Sequence, residues 1–152
     1  MKRSNYTKWK EKTYDYLKKR KIRIYKKSVD KLRIKVYRAM AGLNKRKYNV
    51  YIWSFNDVST IVLAAIGQPC TYCTQILTWN SWSLDHKKPV ARHGTNSKQN
   101  IQVVCKGCNR RKGSFSNKFF RKLLAFLELH LKYKKELLAR LGFGGSYHSR
   151  RN

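Results

Sequence analysis

The chain has 152 residues and a formal charge of +29, from 36 Lys and Arg against 7 Asp and Glu, with 41% hydrophobic residues. That is enough chain for one domain with extensions, and the charge imbalance is far beyond what folding needs. Self-repulsion on this scale points to a polyanionic partner, nucleic acid before an anionic membrane. The longest apolar run, Ile61 to Ile66, is too short to span a bilayer, which takes roughly 20 residues.

Charge divides the chain into parts. Residues 1–50 carry 19 Lys/Arg, residues 51–105 carry 4, and residues 106–152 carry 13. Four segments are expected: a basic helical nucleic-acid-binding arm over 1–47, a compact module over 48–115, an amphipathic helix over 116–141 that packs on the module, and a basic tail over 142–152. In the first arm Tyr25, Val29, Leu32, Val36, Met40 and Leu43 recur at steps of three or four, the period of one helix face. The alternation Leu32-Arg33-Ile34-Lys35-Val36 also fits a strand. Tyr6, Trp9, Tyr14 and Tyr16 interleave with lysines, and core packing and base stacking are equally open to them. The basic face of the arm is read either as a solvated surface or as a track for phosphates.

Tyr48 to Trp53 reads as a short strand. Ser54 or Asn56 can cap a helix over about Asp57 to Ile66 that ends at Gly67, and Pro69 opens a turn. Trp82 to His86 reads as a strand, and Asn100 to Val104 as its antiparallel partner across a polar loop that contains His93 and Gly94. A helix should start near Cys105–Cys108. A longer one, from Asn117 towards Arg140, has Phe120, Leu123, Leu124, Leu127, Leu131 and Leu138 as its apolar stripe.

Cys70-Thr71-Tyr72-Cys73 and Cys105-Lys106-Gly107-Cys108 account for every cysteine in the chain. Each Cys-x-x-Cys lets two sulfurs face one point, and two such pairs complete a tetrahedral zinc site. With four thiolates there is no open position, so this zinc should be structural. The basic N-terminus lacks the apolar stretch of a secretory signal. An intracellular, reducing compartment is therefore expected, where thiols serve as ligands rather than disulfides.

Between the two cysteine pairs lie Leu84-Asp85-His86-Lys87-Lys88-Pro89 and Asn100, and Cys108 is followed by Asn109-Arg110-Arg111-Lys112. In this order and spacing the segment from about 68 to 113 resembles the HNH endonuclease family. The resemblance implies an α+β fold: a small ββα-metal module stapled by zinc, here flanked by basic and mostly helical arms. It implies His86 as the general base, Asp85 and Asn109 as holders of one catalytic divalent ion, and Asn100 as the brace that orients His86 through a backbone carbonyl. An Asp and an amide oxygen suit a hard cation, Mg²⁺ or Mn²⁺. A neutral imidazole is a usable base near physiological pH. Lys87, Lys88, Arg110, Arg111 and Lys112 are the candidate phosphate contacts. The expected activity is metal-dependent hydrolysis of phosphodiester bonds in DNA rather than RNA, by nicking or double-strand cutting, in a phage or intron homing setting, with no small-molecule cofactor. The rival expectation is a non-catalytic zinc protein built into a ribonucleoprotein such as a ribosome.

Overall fold

A computed structural model describes residues 5–45 and 51–129. Its elements in chain order are α1 (Asn5–Lys19), α2 (Lys26–Asn44), α3 (Phe55–Ala65), β1 (Trp82–His86), β2 (Ile101–Cys105), α4 (Lys106–Lys112) and α5 (Asn117–Leu129). Expectations for Tyr48 to Val50, for the long helix beyond Leu129, including Leu131 and Leu138, and for the tail fall outside the described residues. The described end of the expected strand, Tyr51 to Trp53, is irregular. There Trp53 exchanges two hydrogen bonds with the Asn44 side chain, N–H to Oδ1 at 2.9 Å and Nδ2 to O at 2.9 Å. A side-chain amide thus supplies the pairing that a strand ladder would have supplied.

The N-terminal helices α1 and α2 share a core with the rest of the described residues. On α2 the periodic residues Val29, Leu32, Val36 and Leu43 are buried. They join Leu17 of α1, Trp53, Val58, Val62 and Ile66 around α3, and Trp82 and Ile101 of the strands in one core. Tyr25, the first member of the expected stripe, is 58% exposed because it sits outside the helix as its N-cap. Helix geometry wins over the alternating strand reading of Leu32–Val36, since Val29, Leu32 and Val36 share a face only at a period near 3.6. Among the aromatic residues, Trp9 packs edge-on against Phe55 at 5.3 Å and donates Nε1–H to Ser59 Oγ. Tyr6 instead takes the Arg33 guanidinium on its ring at 4.3 Å.

Two contacts show how the basic helices tolerate burial. Arg20 donates to the carbonyls of Leu63 (2.8 Å) and Ala64 (3.4 Å), filling acceptors that the end of α3 leaves open. Lys35 lies over the Trp82 ring at 3.9 Å and donates to the carbonyls of Asn80 and Trp82, so α2 is pinned to the start of β1. Burial, with the charge of Lys106 adding to it, lowers the Lys35 pKa to about 8.

α3 starts with a capping box. Ser54 Oγ accepts from Asp57 N–H, and the Asp57 carboxylate accepts from Ser54 N–H, which satisfies two of the open donors of the first turn. The helix begins at Phe55, two residues before the sequence expectation, and its cap is Ser54 rather than Asn56. The β1–β2 ribbon runs antiparallel, with Trp82 opposite Cys105, Asp85 opposite Gln102 and His86 opposite Ile101. β2 lies one residue later than expected because Lys98–Asn100 forms a 3₁₀ turn. From β2 onward the pieces that bracket the site, β2, α4 and α5, follow one another with almost no intervening chain. No helix among the described residues is long and apolar enough to cross a membrane.

Candidate metal centres and catalytic cluster

The two cysteine pairs converge. Ligand sulfurs of Cys70, Cys73, Cys105 and Cys108 lie within 4.8 Å of one another, and Cys73 Sγ is 3.6 Å from Cys105 Sγ. A tetrahedral site with zinc–sulfur bonds of about 2.3 Å needs sulfurs about 3.8 Å apart, so the cluster fits zinc. The Cys105 N–H points at Cys70 Sγ, and the Cys108 N–H at Cys105 Sγ, each at 3.3 Å. Such donors favour the thiolate form. Burial pushes the Cys105 and Cys108 thiols up, which a divalent cation would reverse. The second bond also makes Cys105 the N-cap of α4, so one residue serves as ligand, strand end and helix start.

Arg111 belongs to this centre. Its guanidinium donates to Cys108 Sγ at 3.4 Å, a position from which it offsets the net negative charge of a four-thiolate zinc site. Its side chain is half-buried and lies on a sulfur.

α4 lies across the ribbon and meets it through polar groups. Asn109 Nδ2 donates to Ser83 Oγ at 2.8 Å and reaches Leu84 O at 3.4 Å. One helical turn on, Lys112 Nζ contacts Asp85 Oδ1 at 2.8 Å and His86 O at 2.7 Å. Residues two apart on a strand share a face, as do residues three apart on a helix. Ser83 and Asp85 of β1 therefore face Asn109 and Lys112 of α4. Asp85 is 5% exposed and Lys112 1%. Lys112, which the sequence offered as a phosphate contact, is buried here as an internal partner of Asp85. Its ammonium has two acceptors, Asp85 Oδ1 and His86 O. Removing one member of such a buried pair would cost about 3–5 kcal/mol.

The second oxygen of Asp85 is held as closely. Oδ2 accepts from Gln102 Nε2 at 2.8 Å and from Tyr72 Oη at 3.2 Å, while Gln102 also donates to Tyr72 Oη at 2.6 Å. Burial, and then the Asp85 charge, push the Tyr72 hydroxyl up, so it stays a protonated donor. The Tyr72 ring meets Phe120 edge-on at 4.9 Å. A residue inside the first cysteine pair thus links zinc centre, Asp85 and α5. Tyr72, Gln102 and Ser83 were not singled out from sequence. Gln102 and Ser83 had a usable signal, since an antiparallel register and a two-residue step place them beside Asp85. Tyr72 had none.

Asn100 stands at the base of the connecting loop. Its side chain accepts from Lys88 N–H at 2.8 Å and donates to the carbonyls of Lys88 (2.9 Å) and Thr95 (2.7 Å), and its own carbonyl accepts from Lys87 N–H. It closes the loop that follows His86. Gly94 completes the closure: an added Cβ would lie 1.8 Å from Lys88 O. His86 is the last residue of β1, half-buried, with Nε2 shielded from solvent. Lys87, Lys88 and Arg110 are exposed, and so is His93, which has left-handed backbone at φ 59°.

A two-stranded ribbon is crossed by a short helix, with an acidic and an amide side chain at their interface and four sulfurs that fit zinc beside them. Residues 70–115 match the model of the family described as HNH endonuclease, which supports a nuclease-type function acting on nucleic acid. No curated protein matches the chain significantly.

Proposed function

We propose that the protein is a metal-dependent endonuclease that hydrolyses phosphodiester bonds in DNA. The observation that carries this reading is the placement of Asp85 on β1 and Asn109 on the facing helix α4, inside the segment that matches the family. Asn109 commits its amide nitrogen to Ser83 and Leu84, which leaves Oδ1 without a donor among the described residues. An anionic oxygen and an amide oxygen form a hard donor set, suited to Mg²⁺ or Mn²⁺. Such an ion, when bound, would stabilise charge on the phosphate and the leaving oxygen.

His86 takes the proton from the attacking water. Asn100 holds the turn at Lys87 and Lys88 and thereby the backbone that follows His86. Lys87, Lys88 and Arg110 supply exposed charge for flanking phosphates, and the basic side chains of α1 and α2 extend it. The phage or intron homing setting remains an expectation from the resemblance.

One observation favours the rival, a non-catalytic component of a ribonucleoprotein: Asp85 is already neutralised by Lys112. The experiment is cleavage of supercoiled plasmid by zinc-loaded protein with Mg²⁺ or Mn²⁺ added or left out, wild type against His86→Ala. Product that requires both the added ion and His86 is expected. Tight RNA binding with no cleavage of DNA or RNA would favour the rival.

A further inference from the structure

Asp85 already has a cation. The Lys112 ammonium lies 2.8 Å from Oδ1, with side-chain exposures of 1% for the lysine and 4% for the aspartate. Gln102 and Tyr72 both donate to Oδ2. A carboxylate offers about four lone-pair positions. Three are occupied here, and the fourth is on Oδ1, the oxygen that Lys112 holds. A divalent ion placed there would stand next to an ammonium group in a site with little water to screen the repulsion. Lys112 is also tied to the His86 carbonyl, so it does not leave without breaking a second bond at the start of the catalytic loop.

We infer that Lys112 is a resident counter-ion that competes with the divalent ion for Asp85 and so sets the ion concentration at which the site fills. The inference rests on the reading of Asp85 as a metal ligand. It makes the two metal centres opposites. The four cysteines have a single guanidinium, Arg111 on Cys108, against four thiolates, whereas Asp85 is matched charge for charge by Lys112 before any ion arrives. The cluster therefore folds without Mg²⁺, and loading it displaces or crowds an ammonium. Lys112 acts through Asp85, as a positioning residue, and touches no substrate.

The test is Mn²⁺ binding to the zinc-loaded full chain, followed by the electron paramagnetic resonance of free Mn²⁺, for wild type, Lys112→Met and Asp85→Asn. Methionine keeps the unbranched stem and removes the charge. The Met variant should bind Mn²⁺ at least tenfold more tightly than wild type, and its Tm should rise more on adding the ion. Unchanged or weaker binding would overturn the inference. A lost ion pair can also unfold the domain, so the same question is put to the wild type by nuclear magnetic resonance of ¹⁵N-lysine ammonium groups. The Lys112 signal, assigned by its absence in Lys112→Arg, should shift as Mg²⁺ is added. A signal that stays put at saturating Mg²⁺ would equally overturn the inference. If wild type binds Mn²⁺, Asp85→Asn does not, and Lys112→Met matches wild type, the competition fails and the nuclease reading stands. If neither wild type nor Lys112→Met binds Mn²⁺, both fall together.

Discussion

Stripping the zinc should unfold one end of the molecule and leave the other standing. Around the cysteines the buried cluster holds, among the described residues, Leu77 and Val104 as its fully buried aliphatic side chains. Burying two such groups contributes about 3–6 kcal/mol. Ordering the backbone of the Pro69–Leu77 turn, about nine residues, costs about 9–18 kcal/mol at about 1–2 kcal/mol each. The shortfall of roughly 3–15 kcal/mol is within reach of what zinc binding by a four-ligand site provides, about 10–16 kcal/mol. The larger core, from Leu17 through Trp53 to Val62 and Ile66, owes nothing to the cysteines. Hydrogen exchange with peptide resolution therefore separates two regions in Cys105→Ser or in zinc-stripped protein. The amides of Cys70, Thr74, Gln75 and Leu77, which bond within the turn, and those of α4 should lose protection, while α2 and α3 keep theirs. Unchanged protection at Cys70–Leu77 after complete zinc removal would refute the argument, because the turn would then be held by contacts too few to hold it.

Four further outcomes follow from particular side chains. Gly94→Ala places a Cβ 1.8 Å from Lys88 O, against backbone that Asn100 also holds, so the loop must open; Tm should fall and plasmid cleavage should drop, both read on the zinc-loaded protein. Ser54→Ala removes half of the α3 capping box and should cost about 1 kcal/mol, a Tm decrease of roughly 2–4 °C for a chain of this size. The hydrogen bond from Lys98, then those from Ser54, hold the Asp57 carboxyl well below the usual carboxylate range. A depressed carboxyl stabilises the fold above its ordinary pKa, and that contribution is lost as pH falls through the lowered one. Lys98→Met should therefore move the acid end of the stability profile to higher pH, as seen in urea titrations across the acid range. Replacing Lys87, Lys88 and Arg110 together should reduce the slope of log binding constant against log salt by about 0.9 for each phosphate of duplex DNA that they neutralise; an unchanged slope would place the phosphates elsewhere.

Local signals were enough for most elements of the fold. The 3.6-residue period of α2, the Ser54–Asp57 spacing ahead of an apolar run, and the alternation of Trp82–His86 each act within one segment. What sequence left open was where the basic N-terminal helices go. Val29, Leu32 and Val36 announce an apolar stripe, but a stripe does not say what it covers. The partners are Val58 and Val62 of α3 and Trp82 and Ile101 of the ribbon, dozens of residues away. The pins that allow charged helices to approach, Arg20 on the end of α3 and Lys35 on β1, use backbone carbonyls, and a carbonyl has no residue letter.

The same limit applies at the site. From sequence, Arg110, Arg111 and Lys112 form an unbroken basic run, which reads as a contact with phosphate. On a helix, three consecutive residues point in three directions about 100° apart. Once Cys108 is fixed to the cysteine cluster and Asn109 to Ser83, the rotation of α4 is set. Lys112, three residues after Asn109, must then face Asp85. Arg111, three after Cys108, must face the sulfurs, and only Arg110 is turned to solvent. The zinc cluster therefore does more than hold two ends of the chain together. By fixing the rotation of a seven-residue helix it decides which of three adjacent cations neutralises the acid, which neutralises the thiolates, and which is left for a ligand.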